Sequence, residues 1–199
     1  MSDAPRLTLV STSMSRAAQL TAAGFVFDRA DPRFDDPAQP THGVAAPQEA
    51  RMLAGLKALS RYDLVTAGRI LLSADTIVTS ADGEHIGKPG SRDAARSALA
   101  ALSGRPHQVV TGIAVLTEDD LRLAHAVAEV LIAPPGETAL EQYLDSGAWT
   151  GAAGAYRLAD LRGRGWSVTA SLEPVGGLPI ALVSDILGSF GVRSAPAER

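Results

Sequence analysis

Asp75 and Lys88 flank a predicted hairpin and could act together on a phosphate group. Asp82-Gly83 between them has the composition of a two-residue hairpin loop. Such a loop pairs Ile77 with Lys88, so that Asp75 and Lys88 become diagonal neighbours on one face, about 7–8 Å apart between Cα atoms. A carboxylate beside an ammonium group at a strand end suits metal and phosphate chemistry. The alternative is a plain cross-strand ion pair, which contributes about 0–1 kcal/mol when exposed.

Lys57 is a second candidate, because it interrupts an apolar stripe. Ala50, Leu53, Ala54 and Lys57 follow the i, i+3, i+4, i+7 spacing of one helix face. A lysine in this position often extends from the rim of the stripe to solvent. Binding of a phosphate group is the other interpretation.

Residues 11–16 (S-T-S-M-S-R) form a third candidate, at the junction of a predicted strand and helix. Backbone N–H groups and the helix dipole favour an anion at such a junction, and Ser11, Ser13 and Arg16 add donors. An ordinary Ser/Thr helix cap explains the same residue types without any ligand. Both interpretations stay open from the spacing alone.

The elements that must position these residues alternate along the chain. Predicted strands cover residues 7–10, 25–27, a long segment from 70 that carries Asp75, and an antiparallel pair at 109–116 and 123–132. Predicted helices cover residues 14–23, a segment from 47, the stretch from a cap at Ser91 to 102, and residues 137–146 and 179–187. Interleaved strands and helices with hairpins predict an α/β fold with a mixed sheet.

Composition limits the class of protein. The chain has 199 residues, 46% of them apolar, which predicts one domain over residues 1–199, with a frayed tail from about residue 193. It contains no Cys and only four His, so a thiolate metal site and a disulfide framework are excluded. A net charge of −4 and the lack of a long apolar run predict a cytoplasmic protein that binds neither nucleic acid polymers nor membranes.

Four stretches in fixed order carry a resemblance to a known family. They are residues 11–16, residues 53–58 (L-A-G-L-K-A), residues 73–76 (S-A-D-T) with 87–89 (G-K-P), and residues 153–156 (A-G-A-Y) with 177–179 (G-L-P). Together they resemble the Maf family of nucleotide pyrophosphatases, from about residue 7 to about residue 191. The resemblance implies an elongated mixed sheet with flanking helices and a central cleft, similar to inosine triphosphate pyrophosphatase.

The resemblance also implies an activity and its residues. Members hydrolyse nucleoside triphosphates to the monophosphate and pyrophosphate, with Mg²⁺ or Mn²⁺ as cofactor and a homodimer as the expected assembly. Asp75 takes the position of the general base. The phosphate-binding positions are Ser11, Ser13, Arg16, Lys57 and Lys88, and the metal positions are Asp75 and Asp36.

Several positions depart from the family pattern. Met14 and Ser15 replace a Pro and an Arg, Ala18 replaces a Glu, and Pro174 replaces an Asn. The positions associated with the choice of base are Ser15, Thr76, Ala159 and Asp160. Ala159 stands where the family has Gln or Glu, so its side chain cannot form a hydrogen bond with a base. His107 matches the pattern, and we interpret it as a structural residue.

Two other functions remain open from the sequence. The departures are compatible with a nucleotide-binding protein that has attenuated catalysis or none, although the intact Asp75, Lys57 and Lys88 argue against complete loss. An interaction module on the same fold is the third possibility. Thermal stabilisation by nucleotide without pyrophosphate release would select the binding protein, and absence of both would select the module.

Overall fold

Six strands form one sheet in the computed structural model, which describes residues 5–36, 43–171 and 177–194. The strands are β1 (Arg6–Val10), β2 (Phe27–Ala30), β3 (Arg69–Thr79), β4 (His107–Leu116), β5 (Leu121–Ile132) and β6 (Val168–Ala170). Their order across the sheet is β2-β1-β3-β4-β5-β6.

The sheet is mixed, as predicted. β1 pairs in parallel with both β2 and β3, whereas β5 and β6 are antiparallel. β4 and β5 are neighbours joined by a tight turn, in which the Thr117 amide donates to the Asp120 carbonyl at 2.8 Å. A connection this short joins antiparallel neighbours, which agrees with the predicted pair.

Helices alternate with these strands. They are α1 (Met14–Ala22), α2 (Ala46–Leu59), α3 (Arg92–Leu102), α4 (Glu137–Asp145), α5 (Leu158–Gly163) and α6 (Ile180–Ser189), with short 3₁₀ turns at Tyr62–Leu64 and Ala153–Ala155. Ser13 caps α1 and Ser91 caps α3 through their side chains. None of the helices in the described ranges has the length and apolar character that crossing a membrane requires.

The chain divides into two compact units. The first consists of described residues within 1–75, 111–126 and 177–199. In it α1 and α6 pack against one face of the strands, through Leu20 and Leu187 among others. α2 packs against the other face, where Ala54 and Ala58 contact Leu71. This arrangement places Lys57 of α2, one of the candidates from the sequence, over β3.

The second unit consists of described residues within 76–110 and 127–176. Its core brings together α3, α4 and α5 with the far parts of β3, β4 and β5, around Leu99, Tyr143 and Leu161. The single-domain assignment of residues 1–199 stays a prediction. Most of the predicted frayed tail, and Pro174, lie outside the described residues.

Three elements differ from the sequence-based expectation. β2 begins at Phe27 rather than at residue 25, because the chain turns at Gly24 with a φ of 80° and Phe25 then enters the core. α5 and β6 were not predicted. α5 spans only six residues and β6 three, so neither is long enough to display a clear period. They form because Leu158, Leu161 and Trp166 are buried together.

Candidate active site

Asp75 lies on the face of β3 that α2 covers. Leu71 on that face packs against α2, and side chains alternate along a strand, so Ser73 and Asp75 face α2 as well. The Ser73 hydroxyl donates to the Ala54 carbonyl of α2 at 2.6 Å. Asp75 itself is only 6% exposed. Strand and helix are thus held in register directly beside the carboxylate.

Lys57 extends from α2 to Asp75 and is itself buried, with 9% of its surface exposed. Its Nζ donates to Asp75 Oδ1 at 2.5 Å and lies 2.7 Å from Asp36 Oδ1. The stripe of Ala50, Leu53 and Ala54 is buried as the helical spacing predicted. The ammonium group does not extend to solvent at the rim, so that alternative is wrong. It is held between two carboxylates instead.

Asp36 reaches Lys57 because its loop is fastened to the end of α2. The Ser60 hydroxyl accepts the Arg33 amide at 2.9 Å and donates to the Lys57 carbonyl at 2.7 Å. Arg61 donates to the Asp31 carbonyl at 2.8 Å. The Asp36 side chain remains 31% exposed. The sequence resemblance had suggested Asp36 as a metal ligand, and the structure brings it to the same ammonium group as Asp75.

The turn between β1 and α1 is built on two serines. Ser11 Oγ accepts the amide of Ser13 at 3.1 Å, and Ser13 Oγ accepts the amide of Arg16 at 3.3 Å. Ser13 is therefore the side-chain cap of α1, which confirms the capping role that the spacing left open. Because a hydroxyl is both donor and acceptor, capping and binding of an anion are compatible.

Arg16 joins this turn to β3. Its Nη1 donates to the Ala74 carbonyl, the residue before Asp75, at 2.8 Å. Burial lowers the pKa of the Arg16 guanidinium, and the negative charges of Asp75 and then Asp36 oppose that change. An arginine begins from so high a pKa that it stays protonated. Arg16, Lys57, Asp36 and Asp75 thus form one charged cluster within the first unit.

Two of these four groups could bind a divalent cation. Within the described residues no group of three or more His, Asp or Glu side chains has metal-site geometry. Mg²⁺, however, is commonly held by one or two carboxylates together with substrate phosphates. Asp36 and Asp75 both contact the Lys57 Nζ and so bring hard oxygen donors close to each other beside it. The carboxylate pair therefore fits such a cation when a phosphate is also bound.

Lys88 lies in the second unit, in an exposed segment after the hairpin. The turn forms at Asp82-Gly83, but the register differs from the prediction by one residue. Thr79 pairs with His85, and the Ile86 amide donates to the Val78 carbonyl at 2.8 Å. The loop thus has three residues, 81–83, and the diagonal pairing of Asp75 with Lys88 is wrong. Ser80 explains the change, because its Oγ accepts the amides of residues 82 and 84 inside the turn.

The residues associated with base choice lie in different elements. Ser15 is exposed in the first turn of α1, and Thr76 is half-buried on β3. Ala159 and Asp160 lie on α5 rather than in a loop. Ala159 is exposed, whereas Asp160 is half-buried with its carboxylate 3.8 Å from Arg157 Nη1.

His107 is buried in the second unit, where its Nε2 lies 2.7 Å from the Tyr156 hydroxyl. The two rings meet edge to face, with centroids 5.7 Å apart. Burial lowers the pKa of His107, and hydrogen bonds with the backbone at Arg105 and Leu102 partly oppose this. The geometry agrees with the structural interpretation of this residue.

Sequence reasoning missed the contacts of three supporting residues. Ser73 belongs to a quoted motif, but its bond to Ala54 was not foreseen. Gln19 Oε1 accepts the Leu178 amide at 2.7 Å and so joins the G-L-P motif to α1. Gly112 lies under α2, where a Cβ would overlap the Ala50 carbonyl. The glycine was visible in the sequence, whereas no local signal indicates the partner of Gln19.

Comparison with known proteins identifies the family of this chain. The sequence profile of the family described as Maf-like protein matches residues 6–190. A dTTP/UTP pyrophosphatase from Symbiobacterium thermophilum is 36% identical over 193 residues, which cover 94% of each chain. One from Bordetella parapertussis is 35% identical over 199 residues, covering 96% of this chain and 95% of the relative.

A solved structure of a nucleoside-triphosphatase (dITP/XTP pyrophosphatase) from Mycobacterium abscessus is 16% identical, with a TM-score of 0.42 over 66% of this chain and 78% of that one. This likeness is too distant to add to the comparison. The profile and the two sequence relatives extend over nearly the whole chain, and on that basis the chain belongs to the Maf-like protein family.

Proposed function

We propose that this protein hydrolyses a nucleoside triphosphate to the monophosphate and pyrophosphate. The observation that carries the proposal is the buried Lys57 held between Asp75 and Asp36, with Arg16 of α1 bonded to the Ala74 carbonyl next to Asp75. Structural ion pairs seldom bury a lysine and an aspartate beside a further carboxylate and a further cation, because removing charges from water is costly. Such a cluster is typical of a site that stabilises a highly charged ligand. Relatives over nearly the full length are named as pyrophosphatases.

Asp75 is the group proposed to activate water. Its carboxylate accepts a proton from a water molecule whose oxygen forms a bond to the α-phosphorus. The bond from that phosphorus to the oxygen bridging to the β-phosphate breaks, and pyrophosphate leaves. Lys57 holds Asp75 in one orientation at 2.5 Å, so the base needs little reorganisation when the reaction begins.

The cations and hydroxyls are proposed to bind the phosphates. Charge stabilisation contributes more than base strength in phosphoryl transfer. Lys57 and Arg16 already lie beside Asp75, and Ser11 and Ser13 use acceptor lone pairs in the turn, which leaves each hydroxyl proton as the donor that we assign to the phosphates. The assignment of Lys88 rests on the family pattern. A divalent cation, Mg²⁺ or Mn²⁺, would be held by Asp36 and Asp75 and would supply charge neutralisation on the phosphates.

The deciding experiment measures pyrophosphate release from a panel of canonical and modified triphosphates, with Mg²⁺ and with Mn²⁺. dTTP and UTP come first, because the relatives carry these names. We expect release from at least one member of the panel. Thermal stabilisation by nucleotide without release would instead indicate a binding protein, an alternative that no observation in the structure favours.

Further parts of the proposal rest on the composition and, for the homodimer, on the resemblance. We assign the protein to the cytoplasm, as a homodimer whose ligand is a free nucleotide rather than a nucleic acid polymer. Light scattering coupled to size exclusion tests the dimer, since a mass of one 20.6 kDa chain would contradict it. We also expect that a column of immobilised nucleic acid does not retain the protein, and retention would contradict the proposal that it binds no nucleic acid polymer.

A further inference from the structure

The turn at residues 153–156 has a strained backbone. Gly154 and Ala155 both have positive φ values, 70° and 64°, and Ala155 is the non-glycine residue with positive φ in the described part of the chain. An alanine in this conformation is strained, because its Cβ approaches the following carbonyl oxygen. Such strain persists only where the surroundings fix the backbone, and it is concentrated at functional sites.

This turn holds the backbone next to Lys88. The Gly154 amide is shared between the carbonyls of Ile86 and Gly87, at 3.1 Å from each. The same segment pairs with β3 at His85 and Ile86, where the Ile86 amide donates to the Val78 carbonyl. The shared amide therefore holds the backbone directly before Lys88. Glycine is favoured at 154, since its φ is 70° and a Cβ there would lie 3.0 Å from the Val78 side chain and 3.1 Å from that of Leu102.

Two buried tyrosines, Tyr143 and Tyr156, fix the conformation of residues 153–156. The Tyr143 hydroxyl donates to the Ala155 carbonyl at 3.0 Å, and Tyr143 has no exposed surface. Burial, together with the negative charge of Asp160, raises the pKa of Tyr143 to about 12, so the hydroxyl keeps the proton that it donates. On the other side of the turn, Tyr156 is fixed by its contact with His107.

We infer that Tyr143 and Tyr156 are positioning residues that act, through the strained turn, on Lys88. A lysine side chain is long and flexible, so the place of its backbone decides which atoms its ammonium group can reach. The inference rests on the proposed function, in which Lys88 binds substrate phosphates. It gives a role to the A-G-A-Y motif, which the chemistry at Asp75 does not use.

Hydrogen exchange tests the turn without any substrate. Tyr143→Phe removes the hydroxyl but keeps the ring, and we expect the Gly154 amide to exchange at least about tenfold faster than in the wild type, since its opening is local. Tyr62→Phe is the matched control, because Tyr62 is exposed and belongs to a 3₁₀ turn of the first unit. Unchanged exchange at Gly154 in Tyr143→Phe would overturn the inference. Tyr156→Phe replaces it if Tyr143→Phe does not fold.

A double-mutant cycle with Lys88→Ala tests the action on Lys88. Tyr143→Phe should lower kcat/KM about tenfold in the wild-type background, as misplaced groups do, and less than about twofold when Lys88 is absent. A purely structural role would give equal losses in both backgrounds, and that result would overturn the inference, as would no loss at all.

If Lys88→Ala alone leaves kcat/KM unchanged while the wild type releases pyrophosphate, the inference fails and the proposed activity stands. No release by the wild type would instead refute the proposed function.

Discussion

Lys57 carries a positive charge into a place from which water is largely excluded. An ion in such a place is tolerated only when partners compensate for the lost hydration. Asp75 and Asp36 supply that compensation, at 2.5 and 2.7 Å from the ammonium nitrogen. The same proximity means that neither carboxylate can be altered without changing the electrostatics of the lysine. Stability and the proposed catalysis are therefore coupled at these residues, and each variant must be examined for both.

Asp75→Asn should abolish turnover while the protein stays folded. The amide has nearly the same shape as the carboxylate, but it cannot accept the proton from water. Asp36 remains to compensate the charge of Lys57, which limits the effect on stability. Pyrophosphate release gives kcat, and thermal unfolding monitors the fold. If the variant retains more than about a tenth of the wild-type kcat, the activation free energy has risen by less than about 1.4 kcal/mol. That result would show that Asp75 is not the base.

Lys57→Ala and Lys88→Ala should differ in stability but not in kinetics. Each should reduce kcat/KM by about 10²-fold, equivalent to about 2.7 kcal/mol of transition-state stabilisation. Lys57→Ala also leaves the buried Asp75 without its partner, which should destabilise the fold by about 3 kcal/mol. Lys88 is exposed, so its removal should leave the unfolding free energy unchanged within about 0.5 kcal/mol.

Urea unfolding and steady-state kinetics on both variants separate these expectations. Lys57 would be a structural residue if its loss lowered stability and left the kinetics of the folded fraction intact. Normal kinetics in Lys88→Ala would remove Lys88 from the phosphate-binding set.

At the scale of elements, the position of α2 decides where Lys57 lies. The helix backbone approaches β4 at Gly112, where an added Cβ would overlap the carbonyl group of Ala50 and lie 2.6 Å from the Arg51 nitrogen. A contact with backbone cannot be relieved by a change of side-chain rotamer. Ser73 then fixes the helix along β3 through its bond to Ala54. One small residue and one hydroxyl thus set the distance and the register of the helix.

Gly112→Ala should therefore displace α2 and lower both stability and activity. We expect a loss of at least about 2 kcal/mol, within the usual range for overpacking a well-packed interior. Gly188→Ala on α6 is the matched control, because nothing lies within 4 Å of its added Cβ. That variant should be as stable as the wild type or slightly more stable. Equal unfolding midpoints for the two variants in urea would show that the close approach at Gly112 does not constrain the helix.

How well elements were predicted from sequence depends on whether their signals are local. The caps Ser13 and Ser91 and the buried stripe of α2 were predictable, because the period and the cap lie within one segment. The hairpin turn was predicted, but its register was not, since Ser80 adds two hydrogen bonds that the Asp-Gly rule does not include. The position of Asp36 beside Lys57 depends on the hydrogen bond between Arg33 and Ser60, which fastens the loop. These two residues are 27 positions apart in the sequence, so no periodic pattern indicates their contact.

At the scale of the whole molecule, the net charge opposes the proposed substrate. The chain carries a formal charge of −4, and a nucleoside triphosphate is strongly negative. Long-range attraction therefore contributes little, and the proposed binding depends on a few local cations and on the divalent ion proposed above. Such binding acts on the phosphates that all nucleotides share. Discrimination between bases must come from other residues.

The last prediction concerns that discrimination. Ala159 is exposed on α5 and has no side-chain group to bond a base, so we expect hydrolysis of several nucleotides, or of a bulky modified one, with modest ratios between them. Apolar sites discriminate only about 10–200-fold per small group, whereas sites built to bond a polar edge discriminate far more. Ala159→Gln should therefore sharpen selectivity, measured as the spread of kcat/KM over the panel. Asp160→Ala is the counterpart variant, because Asp160 is the neighbouring polar group on the helix and lies near Arg157. If Asp160→Ala alone collapses discrimination, Asp160 is the residue that contacts the base. Strong preference for one canonical base, unaffected by either variant, would show that α5 does not take part in base selection.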